Sequence, residues 1–161
     1  MKRLNLGCGH DILDGYLNVD ISPADNDVME VDLNNLKLPF GDNEFDEILL
    51  SHILEHLDVN NLTFIQECHR ILKPNGVLVV RVPVRDTCIQ HTQQMFYSNY
   101  FRCLYMEGNS EGQSSQQVYM FKLRQFKRKR CSIREILWKI KQWIETFLYH
   151  EYEIHLEKKE V

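Results

Sequence analysis

The sequence predicts an α/β fold. Three observations carry that expectation. Short apolar runs end repeatedly in glycine or an acid, as buried parallel strands do where they open onto ligand-binding turns. The period then changes to helical spacing across Leu62, Ile65, Cys68, Ile71 and Leu72. Directly after it, Val77–Val82 (VLVVRV) is a β-branched run bounded by Gly76 and Pro83. With 161 residues and no internal repeat, the chain reads as a single domain, 1–161, long enough to bury a core.

The elements follow in order. Residues 2–6 are a short strand that stops at Gly7-Cys8-Gly9. Tyr16–Asp20 and Val28–Leu33 are two further strands, separated by the breaker cluster Ser22-Pro23-Ala24-Asp25-Asn26. Phe45–Leu50 is a fourth, entered through the turn Phe40-Gly41-Asp42-Asn43. The helix of the second half of this region ends at Pro74-Asn75-Gly76. Residues 85–117 are rich in Gln, Ser, Tyr and Asn without a period, a length at which loops are usually functional. Tyr119, Phe121 and Leu123 alternate with polar residues as a half-exposed strand. Ser132-Ile133-Arg134-Glu135 has capping-box spacing, followed by an amphipathic stripe through Phe147. Tyr152, Ile154 and Leu156 alternate with Glu151, Glu153, His155 and Glu157 as a last strand. The chain thus divides into a ligand-binding part, 1–84, a loop or lid, 85–117, and a strand–helix–strand ending, 118–161.

The first turn raises the functional question. Strand, glycine turn and strand-end acid, in that order, belong to a nucleotide-type cofactor site. The acid, Asp20, comes 11 residues after Gly9, whereas a dinucleotide fold places it roughly 20 residues on. Asp11 stands where a third glycine would be. A dinucleotide also requires a helix N-terminus for its pyrophosphate, and little room is left for that helix. Asp20, Asp32 and Ser51-His52 each fall at a strand end and converge on Gly7–Gly9. An acid at the end of the second strand accepts hydrogen bonds from ribose hydroxyls.

Charge and composition narrow the classes. Residues 1–90 hold 7 Lys/Arg against 15 Asp/Glu, and residues 91–161 hold 12 against 8. The acidic half carries the glycine loop and suits a cation better than a pyrophosphate. The five cysteines (Cys8, Cys68, Cys88, Cys103, Cys131) are scattered and lack a C-x-x-C pair. They read as free thiols of a reducing, cytoplasmic compartment. No apolar stretch approaches the roughly 20 residues of a membrane span. Lys2 and Arg3 lead straight into a strand, unlike a signal peptide.

Three stretches, LNLGCGHDILDGYLNVDIS (4–22), DLNNLKLPFGDNEFDEILLSHILEHL (32–57) and ECHRILKPNGVLVVRVP (67–83), carry a family resemblance. On them the chain resembles a class I, Rossmann-like S-adenosylmethionine-dependent methyltransferase of the small type 11 kind. The resemblance implies a three-layer fold with a mostly parallel seven-stranded sheet, an antiparallel last strand and, here, a shortened first helix. It implies S-adenosylmethionine as cofactor, S-adenosylhomocysteine as product and a small-molecule methyl acceptor. By it Gly7, Cys8 and Gly9 wrap the methionine part, Asp20 takes the ribose hydroxyls, and Asp32 and Leu33 face the adenine. Ser51 and His52 stand beside the methyl-bearing sulfur, and Asn5 and Ile21 complete the cofactor set. The sulfonium carries no phosphate, which fits the compressed first turn. His52 and His91 are the candidate general bases for a hydroxyl acceptor. The N-terminal extension that lids the pocket in many relatives is not expected here, so residues 85–117, with Phe96, Tyr97, Tyr100, Phe101 and Tyr105, are expected either to cover the acceptor or to pack onto the sheet.

Other readings compete for single motifs. His52-Ile53-Leu54-Glu55-His56 also matches an inverted zinc-protease signature, with two histidines at i, i+4. The surrounding pattern offers no third ligand, and a structural turn after the fourth strand is favoured, so no metal is expected. The basic run Lys122–Arg130 could follow nucleic-acid phosphates, although a solvated strand–helix connection is the favoured reading. Cys8 is read as a small apolar filler and Cys68 as core. A domain that binds cofactor but transfers nothing is the alternative to an enzyme.

Overall fold

The computed structural model describes residues 1–23, 25–83, 121–130 and 150–159. Seven strands form one sheet: β1 (Arg3–Leu6), β2 (Tyr16–Asp20), β3 (Val28–Glu30), β4 (Phe45–Ser51), β5 (Leu72–Pro83), β6 (Phe121–Arg130) and β7 (His150–Lys158). Their spatial order is β3-β2-β1-β4-β5-β7-β6. The first five strands are parallel, while β7 runs antiparallel to both β5 and β6. The last strand is antiparallel, as expected, and lies inside the sheet between two strands made before it.

One face of the sheet carries the core. Leu4, Leu6, Ile48, Leu50, Leu78, Val80, Ile154 and Leu156 are fully buried at alternate positions of their strands. Helix α1 (Asn61–Ile71) presses Phe64, Ile65, Cys68 and Ile71 onto the same core. Asn60 starts this helix by accepting the N–H groups of Leu62 and Thr63 at 2.9 and 3.2 Å. That cap sets the phase and turns Leu62 outward, 41% exposed, so Asn61 and Phe64 share the buried face instead. The other end is capped from far along the chain. The Lys158 ammonium on β7 donates to the carbonyls of His69 and Leu72 at 2.9 and 2.8 Å and to Asn43 Oδ1 at 2.7 Å. A cation on the last helical carbonyls suits the helix dipole.

Several boundaries differ from the sequence reading, each for a local reason. The strand expected over Val28–Leu33 stops at Glu30, because beyond it Asp32 folds back and its Oδ1 accepts the Asn34 N–H at 2.9 Å. Strand β5 begins at Leu72, immediately after α1, with a register shift against β4 between Phe45 and Glu47. The basic run is not a connection: Lys122–Arg130 belongs to β6, an edge strand of the sheet among the described residues. Arg124 and Lys127 reach across to Glu157 and Glu153 of β7. Charged side chains on an edge strand discourage pairing with a further chain.

The first helix is shortened to nothing. Residues 7–15 form turns between β1 and β2. Two buried asparagines hold this turn against the sheet face opposite α1. Asn5 Nδ2 donates to the Asp11 carbonyl at 2.9 Å and to Asn18 Oδ1 at 3.0 Å. Asn18 in turn accepts the Leu13 N–H at 3.0 Å and donates to the Leu13 carbonyl at 3.1 Å. Side-chain amides thereby satisfy backbone groups that a helix would have paired internally. The loop at 85–117, His91, the aromatic cluster and the helix after Ser132 lie outside the described residues.

Candidate cofactor site at the strand-order switch

Strand order reverses at β1, which has β2 on one side and β4 on the other. Ligands of open α/β sheets sit in the crevice beyond the strand ends at such a point. Here the crevice is bordered by Gly7–Gly9 after β1 and by Ser51-His52-Ile53 after β4.

The loop is bound to the end of β2. Gly7 and Cys8 both donate their N–H to the Val19 carbonyl, at 2.9 and 3.0 Å. The Gly9 N–H donates to Asp20 Oδ2 at 2.8 Å, and Asp20 Oδ1 accepts the Ser22 N–H at 3.0 Å. The carboxylate is thus fixed by one bond to each oxygen, and each oxygen retains a lone pair for a further donor. Gly7 has φ +68°, and a Cβ there would lie 2.5 Å from Ile53 Cγ1. Only glycine lets the loop after β1 and the chain after β4 approach so closely.

Two cavities meet at Gly7. One, of about 170 Å³, is lined by Gly7, Asp20, Ile21, Asp32 and Leu33, together with Ile53 and His56. The other, of about 230 Å³, lies over the face opposite α1 and is lined by Asn5, Gly7, Cys8, Asp11, Ser51 and Arg81 among others. Of the residues expected to hold a cofactor, Asn5, Gly7, Cys8, Asp20, Ile21, Asp32, Leu33 and Ser51 therefore line one cavity or the other, and Gly9 is joined to Asp20. His52 lines neither. It follows β4 in the left-handed region, φ +54°, with its N–H on the Arg81 carbonyl at 3.0 Å. Its Nδ1 stands 3.4 Å from Oε1 of Glu55, whose side chain is 2% exposed and whose Oε2 has no hydrogen-bond partner among the described residues. Left-handed backbone at a non-glycine residue is a form of strain that concentrates at functional sites.

Sequence reasoning missed Ile53, His56 and Arg81 as cavity residues. A signal existed for the last: Arg81 is the one charge within the apolar run VLVVRV. None existed for the others, because Leu54–His56 is a single 3₁₀ turn and its facing cannot be read from a three-residue period. That turn also separates the two histidines of the H-x-x-E-H motif, since His52 precedes it in a left-handed conformation. Among the described residues no three His, Cys, Asp or Glu side chains stand close enough to share a metal ion.

Cys8 is 6% exposed, and burial, reinforced by the nearby Asp20 carboxylate, pushes its thiol above the ordinary value. It is therefore held as a thiol beside the loop, without the thiolate that nucleophilic chemistry needs. The space it fills is that of a small apolar side chain.

Comparison with known proteins points to a family. The model of the family described as "Methyltransferase domain" matches residues 4–80, the span from Leu4 in β1 to Val80 in β5, which holds the smaller cavity and all of the larger one's lining but Arg81. Residues 4–80, just under half of the chain, are similar to the methyltransferase domain family. Solved structures agree in fold across the chain. A SAM-dependent methyltransferase from Archaeoglobus fulgidus is 18% identical, with TM-score 0.64 over 98% of this chain and 86% of its own. One from Methanosarcina mazei is 16% identical, with TM-score 0.62 over 98% and 92%. The 4+2 cyclase SpnF superimposes as well, 14% identical with TM-score 0.62 over 98% and 74%. An uncharacterised protein of Methanocaldococcus jannaschii is 47% identical over 57 residues, 35% of this chain. The match spans only 24% of that relative's length. No helix among the described residues is long and apolar enough to cross a membrane.

Proposed function

We propose that this chain binds S-adenosylmethionine across the two cavities and transfers its methyl group to a small-molecule acceptor. The observation that carries the reading is the Asp20 carboxylate, fixed by the Gly9 and Ser22 N–H groups at the mouth of a cavity that also holds Asp32 and Leu33. A fixed acid with lone pairs to spare is suited to two vicinal hydroxyls. The fit extends to charge. Asp20 and Asp32 line the smaller cavity without a lysine or arginine, which favours a cationic, phosphate-free ligand.

When bound, the cofactor supplies an electrophilic methyl on a sulfonium, and the protein's part is alignment. Gly7 and Cys8 present backbone at the crevice, Ile21 and Leu33 offer apolar walls, and Ser51 stands at the end of β4. Holding two reactants in line is worth on the order of 7–11 kcal/mol. For a hydroxyl acceptor His52 is the candidate base, with Glu55 3.4 Å from its Nδ1. His91 is the other candidate, from the sequence alone. The compartment expected from the free thiols is the cytoplasm.

The test is calorimetric titration of S-adenosylmethionine and S-adenosylhomocysteine, with NAD as control and zinc measured on the same sample. Saturable binding of the first two alone is expected. Binding of NAD alone, or of none of the three, overturns the reading, and stoichiometric zinc redirects it to the H-x-x-E-H motif. A second reading keeps the cofactor and drops the transfer. The cyclase with the same fold shows that this architecture alone does not dictate one reaction. Cofactor binding without S-adenosylhomocysteine release across a broad acceptor panel would favour it.

A further inference from the structure

The larger cavity contains a feature that the cofactor reading leaves unused. Arg81 on β5 lies beside Ser51 of β4 by strand register and lines the cavity with Asn5, Cys8 and Asp11. It is the one lysine or arginine among the described residues lining either cavity. Its guanidinium is held by a single bond, Nε to Glu153 Oε2 at 2.9 Å. Among the described residues neither of its η-nitrogens has a hydrogen-bond partner.

Glu153 is a built support. Its side chain is 7% exposed, and its other oxygen, Oε1, has Lys127 Nζ at 3.4 Å and His155 Nε2 at 3.2 Å. One buried carboxylate is therefore shared by Arg81, Lys127 and His155. The strand pairing Arg81↔Glu153 fixes the two side chains on the same face, so the fork is oriented before any ligand arrives. A planar fork with two free nitrogens is the usual partner of a carboxylate. Asp11 lines the same cavity and offers the opposite charge.

We propose that Arg81, oriented by Glu153, binds the α-carboxylate of the amino-acid end of S-adenosylmethionine, with Asp11 facing the α-ammonium. An acid and a base lining one cavity complement a zwitterion, and this cavity joins the adenosine-side cavity at Gly7. The assignment rests on the cofactor reading above. It also gives the missing first helix a substitute: with residues 7–15 in turns, no helix N-terminus is available to an anion there, and a side chain from β5 supplies the positive charge instead.

The experiment measures the affinity of the full chain for S-adenosylhomocysteine and for 5′-methylthioadenosine, which keeps the adenosine and thioether but lacks the amino-acid end. Wild type is expected to prefer S-adenosylhomocysteine by at least about tenfold, the size of one charge-assisted bond. Arg81→Gln should abolish that preference and leave 5′-methylthioadenosine affinity within about twofold, while Glu153→Gln should reduce it partially. A preference that survives in Arg81→Gln, or an equal loss for both ligands, overturns the assignment. Decarboxylated S-adenosylhomocysteine on wild type needs no variant: binding as tight as the parent compound overturns the proposal, and about tenfold weaker binding supports it. If wild type binds 5′-methylthioadenosine without preferring S-adenosylhomocysteine, only the Arg81 assignment falls. If it binds neither, the cofactor reading falls with it.

Discussion

The Asp20 carboxylate accepts the backbone N–H of Gly9 at 2.8 Å, joining the end of β2 to the turn that follows β1. One side chain thus shapes the loop and faces the cavity. Asp20→Asn should weaken S-adenosylhomocysteine binding about tenfold or more. It should also lower stability by about 1–2 kcal/mol, since a charged acceptor is lost at a backbone donor. Isothermal titration and urea unfolding separate the two effects. A stability loss without an affinity loss would leave Asp20 a purely structural role.

Gly7 and Ile53 form a pair whose coupling can be measured. Gly7→Ala introduces both a left-handed alanine, costing about 1–2 kcal/mol, and the collision with Ile53 described above. Ile53→Ala should remove the collision and leave the backbone cost. The double-mutant cycle is expected to show a coupling of at least about 1 kcal/mol. Strict additivity in chemical unfolding would mean that the two segments do not press on each other.

The backbone of His52 makes a prediction of opposite sign. At φ +54° a glycine is more comfortable than an alanine. His52→Gly should be more stable than His52→Ala by about 1 kcal/mol, read from thermal or urea unfolding. Equal stabilities would place His52 in an ordinary extended conformation. Both variants should have lost turnover with any hydroxyl acceptor that wild type methylates.

Acid sensitivity should centre on Glu67. This 8%-exposed carboxylate accepts Arg70 Nε at 2.8 Å and the Leu38 N–H at 2.8 Å. The Arg70 bonds hold it below its ordinary value of 4.5, against the opposing effect of burial and with help from Leu38. A carboxylate with a lowered folded-state pKa contributes its stability fully above the unfolded value. That contribution disappears as pH falls through the folded value. Stability should therefore decline below about pH 4.5, and Glu67→Gln should flatten that decline while costing on the order of 2 kcal/mol at neutral pH. An unchanged acid slope in the variant would assign the acid transition to other carboxylates.

The parts of this site that sequence revealed are those fixed by local rules. Gly7, Asp20, Asp32 and Ser51 each end or follow a strand, and strand ends are visible in a short apolar run bounded by a breaker. Arg81 and Glu153 are different. Each looks like one charge in a strand, and only the placement of β7 beside β5 joins them across 72 residues of chain. Lys158 is the same case, since nothing near it in sequence predicts that it caps a helix ending at Ile71. The edge position of Lys122–Arg130 also required the topology, because a basic strand and a basic loop have the same composition.

The place of β7 between β5 and β6 has a consequence for how the molecule is made. During synthesis β6 leaves the ribosome before β7, its one partner among the described strands, which is still to come. Until residues 150–158 emerge, β5 presents an open edge of unpaired backbone, the kind of surface on which nascent chains associate wrongly. The β5-β7-β6 side of the sheet must therefore close late. Arrested chains ending before His150 should bind chaperones or aggregate, whereas chains long enough for Lys158 to have left the ribosome should be released.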